Sequence, residues 1–206
     1  MGDDRLDALL EDAANFDDRY VRTHDEITAL VEVLKDQGRK IVLTSGSFDV
    51  LHEGHSMYLE AARALGDFLI VGVDSDAKIR HRKGPSRPAV PELERLRMVT
   101  HQRGVGIVTL KRQEDPRWSL IRAVQPDVLV ATADTYSAAE IAELENDGYC
   151  GRVEVKERMA TISTSARLRL VQLDLAKRLT DQIAERLPDL VASITDEMLA
   201  PSCPPS

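Results

Sequence analysis

The chain has 206 residues, a formal net charge of −8 and 43% hydrophobic residues. This length suffices for one domain with a full core and a few additional elements. The acidic balance argues against an extended nucleic-acid-binding surface but permits a local basic pocket. No apolar run approaches the length of a membrane span. From the charge and from this absence, respectively, we predict that neither nucleic acid nor a membrane is a partner.

The cysteines and the N-terminus bear on the cellular compartment. Cys150 and Cys203 lie far apart and lack the spacing of metal ligands. Residues 1–5, MGDDR, are acidic and contain no apolar signal core. We therefore predict a protein of the reducing cytoplasm, with no metal site built from its own side chains.

Hydrophobic patterning predicts helices and strands in alternation. Residues 5–36 are expected to be helical, with a capping box at 23–26 and an end at Gly38. Strands are predicted at 41–44, 69–73, 106–110, 128–131 and 153–155, and helices at 56–65, 91–101, 116–124 and 138–146. This alternation predicts an α/β fold, a Rossmann-like doubly wound parallel sheet with added N- and C-terminal helices.

The C-terminal part is again predicted to be helical, from residue 165 to about 194, with repeated leucines and an interruption at Pro188. This helix either packs back on the domain or forms a homodimer interface, and the pattern favours neither. We divide the chain into an N-terminal helical extension at 1–37, a central α/β domain at 38–172, and a C-terminal helical extension with a disordered tail at 173–206.

The segment at 44–55, TSGSFDVLHEGH, joins a predicted buried strand to a predicted helix. An α/β sheet binds its ligands outside the carboxyl ends of its strands, where this segment lies. Gly46 and Gly54 let the backbone approach a ligand closely, and the N-terminus of the helix offers N–H groups to phosphate. His52 and His55 can donate hydrogen bonds to a phosphoryl group whose charge grows in the transition state.

The segment 52–55, HEGH, resembles the HxGH signature of the nucleotidyltransferase superfamily, within the longer pattern TxGxFDxxHxGH. The resemblance implies transfer of a nucleotidyl group from a nucleoside triphosphate to a phosphorylated acceptor, with release of pyrophosphate. It implies that His52 and His55 are catalytic and contact the α- and β-phosphates. It also implies nucleotide-binding roles for Ser45, Gly46, Ser47, Phe48 and Gly54.

Residues 158–165, RMATISTS, resemble the R-x-x-G-I-S-T-[ST] motif of cytidylyltransferases, with Thr161 in place of the usual glycine. Hydroxyls before a helix can cap its N-terminus or hold the phosphates of a nucleotide. The spacing from the HxGH segment is typical of the family, which favours the second role. The resemblance implies that Arg158 is catalytic and assigns nucleotide binding to Ile162, Ser163 and Thr164.

Residues 83–88, KGPSRP, and the later pair 94–95 resemble segments of the adenylyltransferase domain of bacterial ADP-heptose synthases. This resemblance implies that Lys83 is catalytic, that Arg95 binds the nucleotide and that Arg87 contacts the acceptor. For each basic residue taken alone, a solvated surface loop is an equally good interpretation.

One turn departs from that subgroup. Residues 131–134, ATAD, stand where the subgroup has a K-G-G-D-type turn. Asp134 is kept as a weak acceptor-binding candidate, and so is Asp49, whose more plausible role is to tie down its own loop. The altered turn weakens the prediction that the acceptor is heptose 1-phosphate.

The predicted mechanism needs no catalytic triad, because the phosphate oxygen of the acceptor is already a nucleophile. We expect in-line attack on the α-phosphorus, catalysed by positioning and charge neutralisation. Mg²⁺ is expected to arrive with the nucleotide, since the sequence contains no evident carboxylate cage. The leading hypothesis is an adenylyltransferase that uses ATP and a sugar phosphate such as heptose 1-phosphate. The alternatives are a cytidylyltransferase that uses CTP and a polyol or amino-alcohol phosphate, and a catalytically inert nucleotide-binding regulator.

Overall fold

A computed structural model describes residues 3–11, 13–157 and 164–199 of the chain. It forms two compact units, Met1–Thr161 and Ile162–Ser206. In chain order the described elements are α1 (Asp3–Leu10), α2 (Phe16–Arg19), α3 (His24–Asp36), β1 (Ile41–Gly46), α4 (Glu53–Arg63), β2 (Phe68–Asp74), α5 (Asp76–Lys83), α6 (Glu92–Thr100), β3 (Val105–Lys111), α7 (Ser119–Val124), β4 (Val128–Thr132), α8 (Ala138–Asn146), β5 (Val153–Lys156) and α9 (Thr164–Leu199).

The five strands form one parallel sheet in the order β3-β2-β1-β4-β5. The chain therefore builds the sheet outward from β1 in one direction and then returns to extend it in the other. The strand order reverses between β1 and β4, and sheets of this kind bind ligands outside the carboxyl ends of the strands at such a point. The predicted Rossmann-like, doubly wound α/β fold is confirmed.

Helices cover both faces of the sheet. Side chains alternate between the two faces along each strand, and each face carries its own core cluster. On one face, Leu43 belongs to a core cluster with side chains of α3 and α7; we call this the α3/α7 face. On the other, Val42 belongs to a cluster with side chains of α4 and α6; we call this the α4/α6 face. Burial of each such aliphatic side chain contributes roughly 1.5–3 kcal/mol, so β1 is held firmly from both sides.

Two helical segments differ from the predicted pattern. The helix expected at 5–36 is divided into three, because the side chains of Asn15 and Thr23 accept backbone N–H groups and begin new helices. Helix α5 is absent from the predicted elements. Its residues are mostly charged and only Ile79 is buried, so hydrophobic periodicity gives no signal there, although Ser75 provides an N-cap.

The N-terminal helices pack with the sheet. Leu6 and Leu9 of α1 join the core cluster on the α3/α7 face. Arg19 is buried, and its guanidinium donates to the carbonyl oxygens of Thr100, at 3.4 Å, and Val105, at 2.7 Å. The N-terminal helices therefore belong to the same compact unit as the sheet, the unit Met1–Thr161.

The second unit contains α9, whose described side chains span residues 170–196. Its large apolar side chains, from Leu170 to Ile194, are each 47–66% exposed. The sequence predicted an interruption at Pro188, but the helix continues through this residue. An interior proline removes one backbone hydrogen bond and can kink a helix without ending it. Within the described parts of the chain, no helix is both long and apolar enough to cross a membrane.

Candidate active site

The loop between β1 and α4 has an unusual backbone. Phe48 and Val50 both adopt left-handed conformations, with φ of 45° and 53°. For a β-branched residue such as Val50 this conformation is strained, and strain of roughly 1–3 kcal/mol is typical of functional loops. Gly46 precedes the loop, and a Cβ there would lie 3.3 Å from the Phe48 ring. The glycine thus lets Phe48 fold inward, where it is buried.

The two histidines lie together at the start of α4. His52 is the N-cap residue, and the rings of His52 and His55 stack with their centroids 3.9 Å apart. The backbone N–H of His52 donates to Nδ1 of His55 at 3.3 Å. Burial, followed by the charges of His52 and Lys83, lowers the pKa of His55 to about 4, against an opposing effect of Asp49.

This geometry determines how His55 can act. A pKa of about 4 leaves the ring neutral near physiological pH. Because Nδ1 accepts a hydrogen bond, the single ring proton is assigned to Nε2. His55 therefore presents an Nε2–H donor, and it does so beside the N–H groups at the N-terminus of α4, which themselves favour phosphate.

Lys83 lies beside this loop at the end of α5. Its Nζ donates to Ser47 Oγ at 3.1 Å, and Gly84 then ends the helix with a φ of 93°. Burial is the main cause that lowers the pKa of Lys83, and the neighbouring cations Arg82 and Arg87 lower it further. A phosphate anion bound here would favour the charged form of Lys83, so Lys83 is well placed to bind one.

Asp49 and Arg87 join the two loops that frame the site. The carboxylate of Asp49 accepts from the backbone N–H groups of Ala89, at 3.0 Å and 3.1 Å, and Val90, at 3.0 Å. It also pairs with the Arg87 guanidinium at 3.0 Å. The Asp49 side chain is 1% exposed and that of Arg87 is 11% exposed. In this arrangement the two residues position the loops, and the predicted contact of each with the acceptor stays a prediction.

Arg95 has a different role from the predicted contact with phosphate. Its guanidinium is 1% exposed and donates to the carbonyl oxygens of Val90, Ser47 and Asp74 at 2.9, 2.6 and 2.8 Å. It also pairs with the Asp76 carboxylate at 2.7 Å. A side chain closed off from solvent in this way cannot reach a nucleotide without losing those bonds. We therefore assign Arg95 a positioning role.

The remaining predicted residues are distributed as follows. Gly54 is buried in the first turn of α4. Asp134 lies exposed in the turn after β4, which bonds between Thr132 and Thr135 stabilise. Thr164 is the first residue of α9, and its side chain lies outside the described set. Arg158, Ile162 and Ser163 lie outside the described residues.

Two contacts near the site involve residues that lie outside the sequence motifs. Tyr58 lies 2.8 Å, oxygen to oxygen, from Thr44 and so fastens α4 to the end of β1. Lys111, the last residue of β3, donates from Nζ to Ser45 Oγ at 2.9 Å. A lysine that closes an otherwise buried apolar strand, VGIVTLK, is the signal that could have drawn attention to it.

The assembled site is rich in hydrogen-bond donors and cations. Its described donors include the His55 ring, Lys83, Lys111 and the first turn of α4, on a chain that is acidic as a whole. Among the described residues, no group of three or more His, Cys, Asp or Glu side chains could hold a metal ion. Fold and site together define an α/β protein with a donor-rich loop at the carboxyl end of β1, where sheets of this kind bind ligands and where a helix N-terminus favours phosphate.

Comparison with known proteins identifies the family of the chain. The Cytidylyltransferase-like family model matches residues 43–169, and the chain belongs to this family. The bifunctional protein HldE of Syntrophotalea carbinolica is 35% identical over 159 residues, which are 77% of this chain and 32% of the relative. HldE of Desulfatibacillum aliphaticivorans is 43% identical over 126 residues, 60% of this chain and 25% of the relative. The chain thus spans about a third or less of these relatives.

A solved structure is also similar. The crystal structure of the lipopolysaccharide core biosynthesis protein from Thermoplasma volcanium GSS1 superposes with a TM-score of 0.50 at 30% sequence identity. The match covers 59% of this chain and 97% of that one. The family match at residues 43–169 includes the histidine loop and the strands from β2 to β5.

Proposed function

We propose that this protein is an adenylyltransferase that moves the adenylyl group of ATP to a sugar phosphate, such as heptose 1-phosphate, and releases pyrophosphate. The observation that carries the proposal is the neutral His55 ring, with its Nε2–H donor at the N-terminus of α4 and Lys83 nearby. This combination suits a reaction in which negative charge moves onto phosphate oxygens. The similarity to HldE supports the choice of ATP and a sugar phosphate.

The chemical step is an in-line displacement at the α-phosphorus. An oxygen of the acceptor phosphate attacks, the new P–O bond forms, and the bond to the β-phosphate oxygen breaks as pyrophosphate leaves. His52 and His55 donate to the phosphates, and Lys83 offsets the charge of the leaving group. Arg158, Ser163 and Thr164 are proposed to hold the pyrophosphate, and Ile162 to line the nucleotide site, as the motif resemblance implies.

Mg²⁺ is proposed to be bound with the nucleotide, where it neutralises charge on the phosphates. Two buried carboxylates close to the histidine loop are already engaged. Asp49 is bonded to backbone N–H groups and Arg87, and Asp74 pairs with Arg82 at 2.9 Å. Such a site suits an ion that takes its ligands mainly from phosphate oxygens and water.

A second candidate is a cytidylyltransferase that uses CTP and a polyol or amino-alcohol phosphate. The specific observation that favours it is the ATAD turn at 131–134, which lacks the lysine and glycines of the heptose subgroup. An inert regulator is disfavoured, because both histidines are present and the His55 ring is held as a donor.

The deciding experiment is pyrophosphate release with Mg²⁺, using ATP, CTP, GTP and UTP against a panel of phosphorylated sugars and polyols. Turnover of ATP with a sugar 1-phosphate supports the first proposal. Turnover of CTP with a polyol phosphate moves the protein to the second. Binding of nucleotide without turnover of any acceptor contradicts both. The His55→Ala variant is the control that ties any release to this site.

The homodimer and the cytoplasmic location stay predictions. The exposed apolar side chains of α9 supply a surface that a second copy could cover. Sedimentation of the full chain, beside an Ile183→Asp variant, tests the homodimer. A monomer in both cases contradicts it, whereas a dimer only for the unaltered chain supports it.

A further inference from the structure

Lys111 reaches across the sheet to β1. Lys111 is paired in the strand register with Asp74 of the adjacent strand β2. The Nζ of Lys111 nevertheless donates to Oγ of Ser45, one strand further away in β1, at 2.9 Å. The side chain passes over Gly72, where an added Cβ would lie 2.8 Å from Lys111 Cδ. Gly72 also pairs with Ser45 in the β1–β2 ladder. The missing side chain of Gly72 thus opens the path along which the ammonium reaches the end of β1.

The ammonium lies on the face of the sheet opposite to the histidines. Thr44 contacts Tyr58 of α4, so its side chain points to the α4/α6 face. Side chains alternate along a strand, and Ser45 therefore points to the α3/α7 face. Ile107 of β3 belongs to the core cluster on that face. Lys111 comes four residues after Ile107 in the same strand, so its side chain lies on that face as well. The end of β1 thus has Lys111 on one side and the histidine loop on the other.

The charge of Lys111 is only partly compensated. Its side chain is 24% exposed, and the nearer of its two described partners is a neutral hydroxyl. The Asp74 carboxylate lies 3.8 Å away and makes a closer bond of 2.9 Å to Arg82. Burial is the main cause that lowers the pKa of Lys111, and Asp74 opposes it. Arg95 differs, because its donors contact four protein oxygens.

Lys111 and Lys83 form a pair around Gly46. Lys83 contacts the hydroxyl of Ser47, and Lys111 contacts that of Ser45. Two residues of extended chain span at most about 7 Å between their Cα atoms. Two cations on serines this close together can therefore serve two phosphates that meet near Gly46.

We propose that Lys111 binds the phosphate of the acceptor and so helps to determine which acceptors are used. The proposal rests on the proposed nucleotidyl transfer, in which attacking and leaving oxygens lie on opposite sides of the α-phosphorus. The histidine loop and Lys83 hold the nucleotide on the α4/α6 side. Lys111 then holds the nucleophilic phosphate on the α3/α7 side, where the approach is in line.

The test compares three variants. Lys111→Met keeps an unbranched stem over Gly72 and removes the charge, and Lys111→Arg restores a charge. Lys78→Met is the matched control, since it removes a nearby lysine whose Nζ donates to the carbonyl oxygen of Arg112 at 3.3 Å. Urea unfolding of each variant establishes that it is folded before its kinetics are compared.

The readout is the division of the effect between the two substrates. With an acceptor that the unaltered protein uses, Lys111→Met should raise the KM for the acceptor at least tenfold. The KM for ATP and kcat should stay within twofold, Lys111→Arg should recover most of the loss, and Lys78→Met should change neither KM by more than twofold. Equal changes in both KM values, or an unchanged KM for the acceptor, overturn the proposal.

Binding of inorganic phosphate tests the role of Lys111 independently of the proposed function. Calorimetry on the folded chain measures phosphate binding without any turnover. If no acceptor supports pyrophosphate release, the proposed function fails, and Lys111 is judged on this binding alone. Weakening of phosphate binding at least tenfold by Lys111→Met, but not by Lys78→Met, supports an anion-binding Lys111. Equal binding by all variants overturns it.

Discussion

The backbone N–H of His52 donates to Nδ1 of His55 at 3.3 Å, and this bond assigns the ring proton of His55 to the other nitrogen. The first turn of α4 therefore prepares a neutral donor before any substrate is bound. Preparation of this kind is what makes a hydrogen bond effective in a transition state, because no reorganisation is needed at the moment of reaction.

Replacement of His55 tests that role directly. His55→Ala should lower kcat by roughly a hundredfold to a thousandfold, the usual effect of losing one such donor, with a smaller change in the KM for the nucleotide. His55→Gln should retain more activity, because its amide N–H₂ can occupy a position near that of Nε2. Steady-state pyrophosphate release measures both. Equal rates for the two variants would contradict a role as a donor.

The pH dependence of stability follows from the same residue. Unfolding returns the His55 pKa from about 4 to its ordinary 6.5, so the unfolded chain binds more protons between those values. The stability contributed by the neutral ring is therefore complete above pH 6.5 and is lost as pH falls toward 4. Urea midpoints should fall with acidification over this window more steeply for the unaltered protein than for His55→Gln. Parallel curves for the two proteins would show that His55 titrates normally.

Arg95 provides a test of the positioning network. Arg95→Met leaves the carbonyl oxygens of Ser47, Val90 and Asp74 and the Asp76 carboxylate without this buried donor. Removal of one partner from a buried charged network costs roughly 3–5 kcal/mol, and we expect a loss of that order in the free energy of unfolding.

The matched control for Arg95 lies on the same helix. Arg97 is exposed and stacks over the Phe16 ring at 4.4 Å, so Arg97→Met should cost about 1 kcal/mol or less. Urea unfolding measures both variants. A similar small loss for Arg95→Met would mean that its four bonds add little to the fold.

Much of the fold is predictable because its signals are local. Apolar runs at β1, β2 and β4 and the turn residues around them identify the parallel strands, and the T-S-G-S-F-D pattern identifies the loop that carries the histidines. Helix α5 has no such signal, since its one buried side chain, Ile79, gives no periodicity.

The roles of Arg95 and Lys111 depend on contacts between distant segments. Arg95 looks like a surface cation in the sequence, and only the convergence of the carbonyl oxygens of Ser47, Asp74 and Val90 shows that it is buried among them. The contact of Lys111 with Ser45 depends on strand register, because Gly72 of β2 lies between these two side chains. Strand register and convergence of this kind cannot be read from a single sequence.

Gly72 is the position at which packing and binding are coupled. A Cβ at residue 72 would lie 2.6 Å from Leu120 Cδ2 and 2.8 Å from Lys111 Cδ, so both side chains must move. Gly72→Ala should therefore destabilise the protein by about 1–3 kcal/mol, the usual cost of overpacking, and should raise the KM for the acceptor by displacing the ammonium.

A double-mutant cycle with Lys111→Ala separates those two effects. In that background the contact between residue 72 and the lysine stem is gone, so Gly72→Ala should cost less free energy of unfolding than it does alone. The contact with Leu120 persists and accounts for what remains of the loss. Urea unfolding of the four proteins gives the coupling energy. If the losses in free energy of unfolding are additive, the Lys111 side chain moves away from residue 72 at no cost. In that case the open space over Gly72 does not direct Lys111 toward Ser45.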